Sequence, residues 1–117
     1  MSDVTINQAM LDQFRMLERA GKTGILAQMI GLFLKGSGEQ IAALLAAADA
    51  GDAERLRVTS HTLKSNAASF GATELAEVCR DIETVARTGQ SRLDDATRQR
   101  LLGLHAASCD ALRREIA

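Results

Sequence analysis

Apolar residues recur at every third or fourth position along most of this chain, and no proline interrupts them anywhere in its 117 residues. That spacing marks helix faces, because side chains three and four apart lie on one side of a helix, whereas a half-buried strand alternates every second residue. No strand-type alternation runs over a useful length. Alanine and leucine dominate, with arginine, glutamate and glutamine between them, all strong helix formers. The expectation is an all-α protein.

The periodicity divides the chain into segments. Residues 5 to 18 place Ile6, Met10, Phe14 and Leu17 on one side of a short helix, and "AGKTG" breaks it. Residues 23 to 35 carry a broad stripe of Ile25, Leu26, Met29, Ile30, Phe33 and Leu34 before "KGSGEQ" interrupts. Ser37 and Gln40 have capping-box spacing, so a new helix is expected over 38 to 50 with Ile41, Leu44, Leu45 and Ala48 inward. Gly51 suits a helix end and Asp52 a helix start. A helix over about 52 to 69 follows and stops at Gly71. Thr73 is expected to cap the next, about 73 to 88, with Leu75, Val78, Cys79, Ile82 and Val85 inward. After the polar stretch "TGQSRLDD", a last helix over 94 to 116 carries Leu101, Leu102, Leu104, Leu112 and Ile116. Short connections make consecutive helices antiparallel. The expected fold is an antiparallel up-down four-helix bundle over about 38–116, with additional short N-terminal helices over about 5–35, in a single domain spanning 1–117.

Charge and cysteine usage exclude several function classes. Fourteen Lys and Arg against fifteen Asp and Glu give a net charge of −1, and no basic block points to nucleic acid. No apolar run approaches the ~20 residues of a membrane span, so no membrane contact is expected. The opening "MSDVTINQ" has no signal-peptide pattern, and a cytoplasmic location is expected. Cys79 and Cys109 are too few and too far apart for a disulfide framework, so reduced thiols are expected.

One of the two histidines stands within "SHTLKSNAASFG", residues 60 to 71. At about 100° per residue, Ala53, Leu56, Ser60, Leu63, Ala67 and Phe70 form a narrow heptad-spaced seam. His61 lies well off its centre, on the solvent side, with Glu54, Arg57, Lys64, Ser65 and Ala68 as neighbours one or two turns away. A lone helical histidine is ordinarily a satisfied core group or an inert surface residue. The first reading fails because His61 is off the seam. The second is weakened because Ser65, Ala68 and Gly71 leave low ground around the ring, where a bulky partner can approach. Arg57 and Lys64 flank it and can screen negative charge. An exposed imidazole is largely uncharged at neutral pH and nucleophilic without a helper base. Such a site suits accepting a multiply charged group from another macromolecule, phosphoryl transfer being the leading case.

The stretch "HTLKSNAASFGATELAEVCRDIE" resembles the signature of histidine-containing phosphotransfer (HPt) domains, roughly His-x-Leu-Lys-Gly-small-small-x-x-x-Gly-Ala followed by a Leu- and Cys-bearing helix ending in Glu. His61, Leu63, Lys64, Ala67, Gly71, Ala72, Leu75, Cys79 and Glu83 match in order and spacing. "FLKGSGEQIAALLAAADAGDAERL" is more loosely similar to the preceding helix, so the likeness spans about residues 25 to 85. Ser65 stands where the family usually has glycine. The resemblance implies a relay between receiver-domain aspartates in a two-component phosphorelay. His61 would be the phosphoryl acceptor and donor through Nε2, and Lys64 would stabilise charge. Ser65, Ala68 and Gly71 would permit docking of the receiver, from a hybrid sensor kinase or a response regulator, while Glu54 and Arg57 would help choose it. Mg²⁺ would sit on the receiver's carboxylates, with no metal or cofactor on this chain. No nucleotide-binding loop is present, so the chain would carry phosphoryl groups without kinase activity of its own.

Three other readings stay open. A dimeric histidine-kinase phosphoacceptor domain also shows a helical histidine, but usually with an acidic residue next and a proline shortly after; Thr62 follows here, and a monomer is expected. A helical interaction adaptor would use the stripe from Ile25 to Leu34 as its docking face, leaving His61 incidental. His105 and Cys109, at i and i+4, could present two zinc ligands with Cys79 as a third, although both continue an apolar line through Leu102, Leu112 and Ile116.

Overall fold

Five helices, α1 (Gln8–Arg19), α2 (Ile25–Asp49), α3 (Ala53–Ser69), α4 (Thr73–Arg87) and α5 (Asp95–Glu115), make up the fold, with no strand among the residues described, 4–117, in the computed structural model. Helix α2 packs against α3 and α5, α3 against α4, α4 against α5, and α1 lies on α2.

The largest departure from the sequence-based expectation is α2. It runs unbroken through "KGSGEQ", so the helices expected at 23–35 and 38–50 are one, and Ser37 and Gln40 are helix interior instead of a capping box. The reason is a continuous stripe. Leu26, Ile30, Phe33, Ser37, Ile41, Leu44 and Ala47 follow one another three or four apart, and all are buried. Gly36 and Gly38 each cost a helix ~1 kcal/mol relative to alanine, while burying one Leu, Ile or Phe contributes ~1.5–3 kcal/mol. Packing therefore outweighs local preference. Ser37 joins the stripe because its Oγ meets His105 Nε2 on α5 at 2.9 Å. The expected split between N-terminal helices ending near 35 and later helices starting near 38 does not occur.

The remaining helix ends follow local chemistry. The Asn7, Asp52 and Asp94 side chains each accept a backbone N–H of α1, α3 and α5, from Ala9, Arg55 and Thr97, at 3.1, 3.0 and 2.7 Å. Gly51 takes the left-handed conformation (φ 71°) between α2 and α3, as its position led us to expect. Thr73 does not cap α4. It is the first helical residue, and the N-cap is Ala72, which has no side-chain cap bond and lies buried in the reversal from α3.

That reversal is three residues long, Phe70 to Ala72. The Ala72 N–H donates to Ala67 O at 2.9 Å and the Gly71 N–H to Ala68 O at 3.1 Å, a Schellman arrangement that closes the α3 end. Gly71 has φ +75°, and the Asn7 N–H donates to Gly71 O at 2.9 Å, which lays the segment before α1 over the turn. The chain's three phenylalanines meet nearby. Phe70 stacks on Phe14 of α1 at 5.6 Å between centroids and tilts against Phe33 of α2 at 5.0 Å. One aromatic cluster thus joins three helices beside the turn.

The α3 seam is as expected, with Leu56, Ser60, Leu63, Ala67 and Phe70 buried and Ala53 partly so. Four residues expected inward are instead exposed, Leu17, Val85, Leu102 and Ile116. On α4 it is Glu83 and Ala86, not Val85, that complete the buried face. A side chain at position 71 would place its Cβ 2.5 Å from Asn7 O and 2.9 Å from Asn7 N, in a backbone region most residues avoid. Gly71→Ala is therefore expected to lower stability by about 2 kcal/mol or more in urea denaturation. An unchanged midpoint would mean that Asn7 does not hold the turn.

Candidate functional site

The α3–α4 turn sets the register between two antiparallel helices, and so brings His61 to Glu83, 22 positions later in the chain. His61 projects outward from α3 with its side chain 53% exposed. Behind it Glu83 of α4 is buried, its side chain only 3% exposed. Glu83 Oε2 lies 2.8 Å from His61 Nδ1, and Oε1 accepts from Lys64 Nζ at 2.6 Å. Arg87, one turn along α4, donates from Nη2 to Oε2 at 2.8 Å. One buried carboxylate therefore receives three nitrogen donors.

Burial pushes the Glu83 carboxyl up, but hydrogen bonds from Lys64, Arg87 and His61, with the Lys64 charge, outweigh it and hold the group at about 2. Glu83 is thus ionised at neutral pH and can only accept. Its neighbour His61 Nδ1 must then carry the hydrogen, and in the neutral ring the free lone pair sits on Nε2, away from the carboxylate. The geometry chooses the tautomer.

The other residues singled out in the sequence fall in two groups. Ser65 and Ala68 are exposed on α3 beside Lys64. With Thr73, Ala76, Glu77 and Arg80 of α4 they line a shallow groove of about 410 Å³. Arg57 lies one turn before His61 and Glu54 two, tied to each other by a double contact, one arm of which is Arg57 Nε to Glu54 Oε2 at 3.2 Å. Gly71 is different. It is buried beneath Asn7 and so belongs to the turn, not to the open ground expected around His61. Glu83 was missed as a site residue, although a signal was present. It follows Leu75, Val78, Cys79 and Ile82 on the inward face of α4, where a carboxylate needs a partner.

His105, the second histidine, is half-buried between α2 and α5. Its Nε2 meets Ser37 Oγ at 2.9 Å and Cys109 Sγ at 3.3 Å. Burial, and then the Arg113 charge, push its pKa down from the ordinary value. Burial raises the Cys109 thiol, partly offset by Ser37 and Arg113, and raises Cys79 to about 12 against the field of Lys64. Both thiols stay protonated and unreactive at neutral pH. Among the described residues no three or more His, Cys, Asp or Glu side chains converge as metal ligands would. No helix described is long and apolar enough to cross a membrane.

The Glu83 carboxyl is depressed from its ordinary 4.5 to about 2, so between those values the native state binds fewer protons than the unfolded chain. Stability from this cluster is fully present above pH 4.5 and is lost as pH falls toward 2. Glu83→Gln removes that titration. Its urea midpoint should decline less steeply than the wild type's across the window, and parallel curves would rule out Glu83 as the titrating group.

The family model described as Hpt domain matches residues 28–116. The crystal structure of histidine-containing phosphotransfer protein B (HptB) from Pseudomonas aeruginosa PAO1 is similar, with a TM-score of 0.80 and 26% identity over 94% of this chain and 92% of that one. A search of curated proteins finds no match. The chain belongs to the Hpt domain family, the histidine phosphotransfer domains of phosphorelays.

Proposed function

We propose that this protein relays a phosphoryl group between receiver-domain aspartates, carrying it on Nε2 of His61. The observation that carries the reading is the pairing of an exposed imidazole with a buried, ionised Glu83 on its Nδ1 side. Nε2 attacks the phosphorus of a receiver's aspartyl phosphate. The bond from phosphorus to the aspartate oxygen breaks, and its electron pair leaves with the carboxylate. The ring then carries the new nitrogen–phosphorus bond, a positive charge and its original Nδ1 hydrogen, which Glu83 stabilises. Return transfer to a second aspartate restores the neutral ring. No proton moves in either direction, so no separate base is needed.

Lys64, three residues after His61 on the same helix, supplies positive charge toward the transferring group. Ser65 and Ala68 leave space for the receiver, and the Glu54–Arg57 pair at the rim helps select it through charge. Mg²⁺ enters with the receiver, on the receiver's own carboxylates. The reading includes a cytoplasmic monomer of one domain, in which α2 to α5 form an antiparallel up-down four-helix bundle. The short reversals at Ala50–Asp52 and Phe70–Ala72 favour that arrangement, as does the contact of α2 with α5 that closes a ring of four helices.

His61→Gln should abolish acceptance of phosphate from phosphorylated receivers and leave the helical circular dichroism unchanged. The measurement is phosphotransfer profiling of both proteins against a panel of receiver domains. Wild-type labelling should be acid-labile and base-stable, as a phosphohistidine is, and undiminished labelling of the variant would sink the assignment.

A further inference from the structure

The three donors on Glu83 are not equivalent. Oε1 accepts from Lys64 alone, whereas Oε2 accepts from both His61 Nδ1 and Arg87 Nη2. Lys64 therefore has two demands on it. In the unphosphorylated protein its ammonium is held by the carboxylate, 2.6 Å away. Once His61 carries a phosphoryl group, the phosphoryl oxygens compete for the same ammonium from one turn back along α3.

We propose that Arg87 is a positioning residue for phosphoryl transfer at His61: it holds the charge of Glu83, so that Lys64 can turn from that carboxylate to the phosphoryl group. The inference rests on the relay reading above. If Lys64 were the only side-chain cation on Glu83, its departure would leave the buried carboxylate balanced by the phosphorylated ring alone, and losing a charged hydrogen bond from a buried carboxylate is unfavourable. Arg87 removes that obstacle because it uses the other oxygen and stays in place when Lys64 goes. Its position fits the role. Arg87 is on the last turn of α4, four residues from Glu83 and on a different helix from His61, with its side chain 61% exposed. Arg57 on α3 also lies in the carboxylate's field, but its guanidinium is engaged by Glu54. Arg87 is the cation paired to Glu83 that does not share a helix with the phosphoryl carrier.

This makes Arg87 and Lys64 act in series, which a double-mutant cycle can read. The probe is phosphoramidate, a small phosphoryl donor that needs no receiver, with labelling of His61 followed in time. Arg87→Ala should slow labelling roughly tenfold, the scale of one charged hydrogen bond lost from a transition state. Lys64→Ala should be slowed at least as much, and the double variant should be no slower than Lys64→Ala alone. Arg87→Lys should recover most of the rate, since it restores the charge on Oε2. The ¹⁵N signal of the Lys64 ammonium should shift on phosphorylation in the wild type and stay unmoved in Arg87→Ala. Equal labelling rates for wild type and Arg87→Ala, or losses that multiply in the double variant, would overturn the inference and leave the relay reading intact. Failure of the wild type to label at all would overturn the relay reading itself, and this inference with it.

Discussion

A carboxylate buried at the α3–α4 interface is the feature on which the site depends. Placed there alone, Glu83 would have its carboxyl pushed up by burial, toward the neutral form. Lys64, Arg87 and His61 outweigh that, and each has its geometry restricted in return. Deleting Lys64, the least exposed of the three donors, would leave Glu83 with one cation fewer, which is unfavourable because little water can replace the partner of a buried carboxylate. The same contacts that tie α3 to α4 therefore also fix the imidazole's hydrogen on Nδ1. Stability and chemistry draw on one set of hydrogen bonds.

The cluster forms only if α3 and α4 are in correct register, and a three-residue turn has little slack to adjust it. Its two backbone bonds, the left-handed Gly71 and the overlying Asn7 define where α4 begins. The Phe14–Phe70–Phe33 stack then fastens the turn to α1 and α2. The segment before α1 is thus part of the machinery that aligns His61 with Glu83, although it touches neither. This explains why Gly71, read from the sequence as open ground for a partner, is under backbone instead. Its conformation and its covering are both needed for the turn.

What could be read from the sequence was what lies on a single helix. The α3 seam from Leu56 to Phe70, the outward direction of His61 and its nearness to Lys64 all follow from 3.6-residue periodicity. What escaped depends on a second helix. The continuity of α2 through Gly36, Ser37 and Gly38 rests on a stripe buried against other helices, in which Ser37 is paired with His105 of α5. A local reading sees only two glycines and a capping residue. Glu83 sits in the signature stretch, yet its role needs the pairing of α3 with α4. The exposure of Leu17, Val85, Leu102 and Ile116 has the same origin, since a helix stripe is wider than the face a given neighbour covers.

The two histidines show how surroundings separate a reactive imidazole from a packed one. His61 has an ionised acceptor on one nitrogen and open solvent beyond the other, so its lone pair is both directed and reachable. His105 has Nε2 turned toward a hydroxyl and a thiol, both on neutral side chains, between α2 and α5. With no carboxylate bonded to it among the described residues, and with burial and Arg113 opposing a positive ring, His105 is poorly suited to the phosphoimidazolium that a carrier must form. A buried carboxylate costs a protein more than a buried hydroxyl does, and a purely structural role would be met by the cheaper group. On α2 and α5 it is met that way, by Ser37. At His61 the more expensive partner is used, and a ring that must become cationic when its outer nitrogen is phosphorylated is a reason for it.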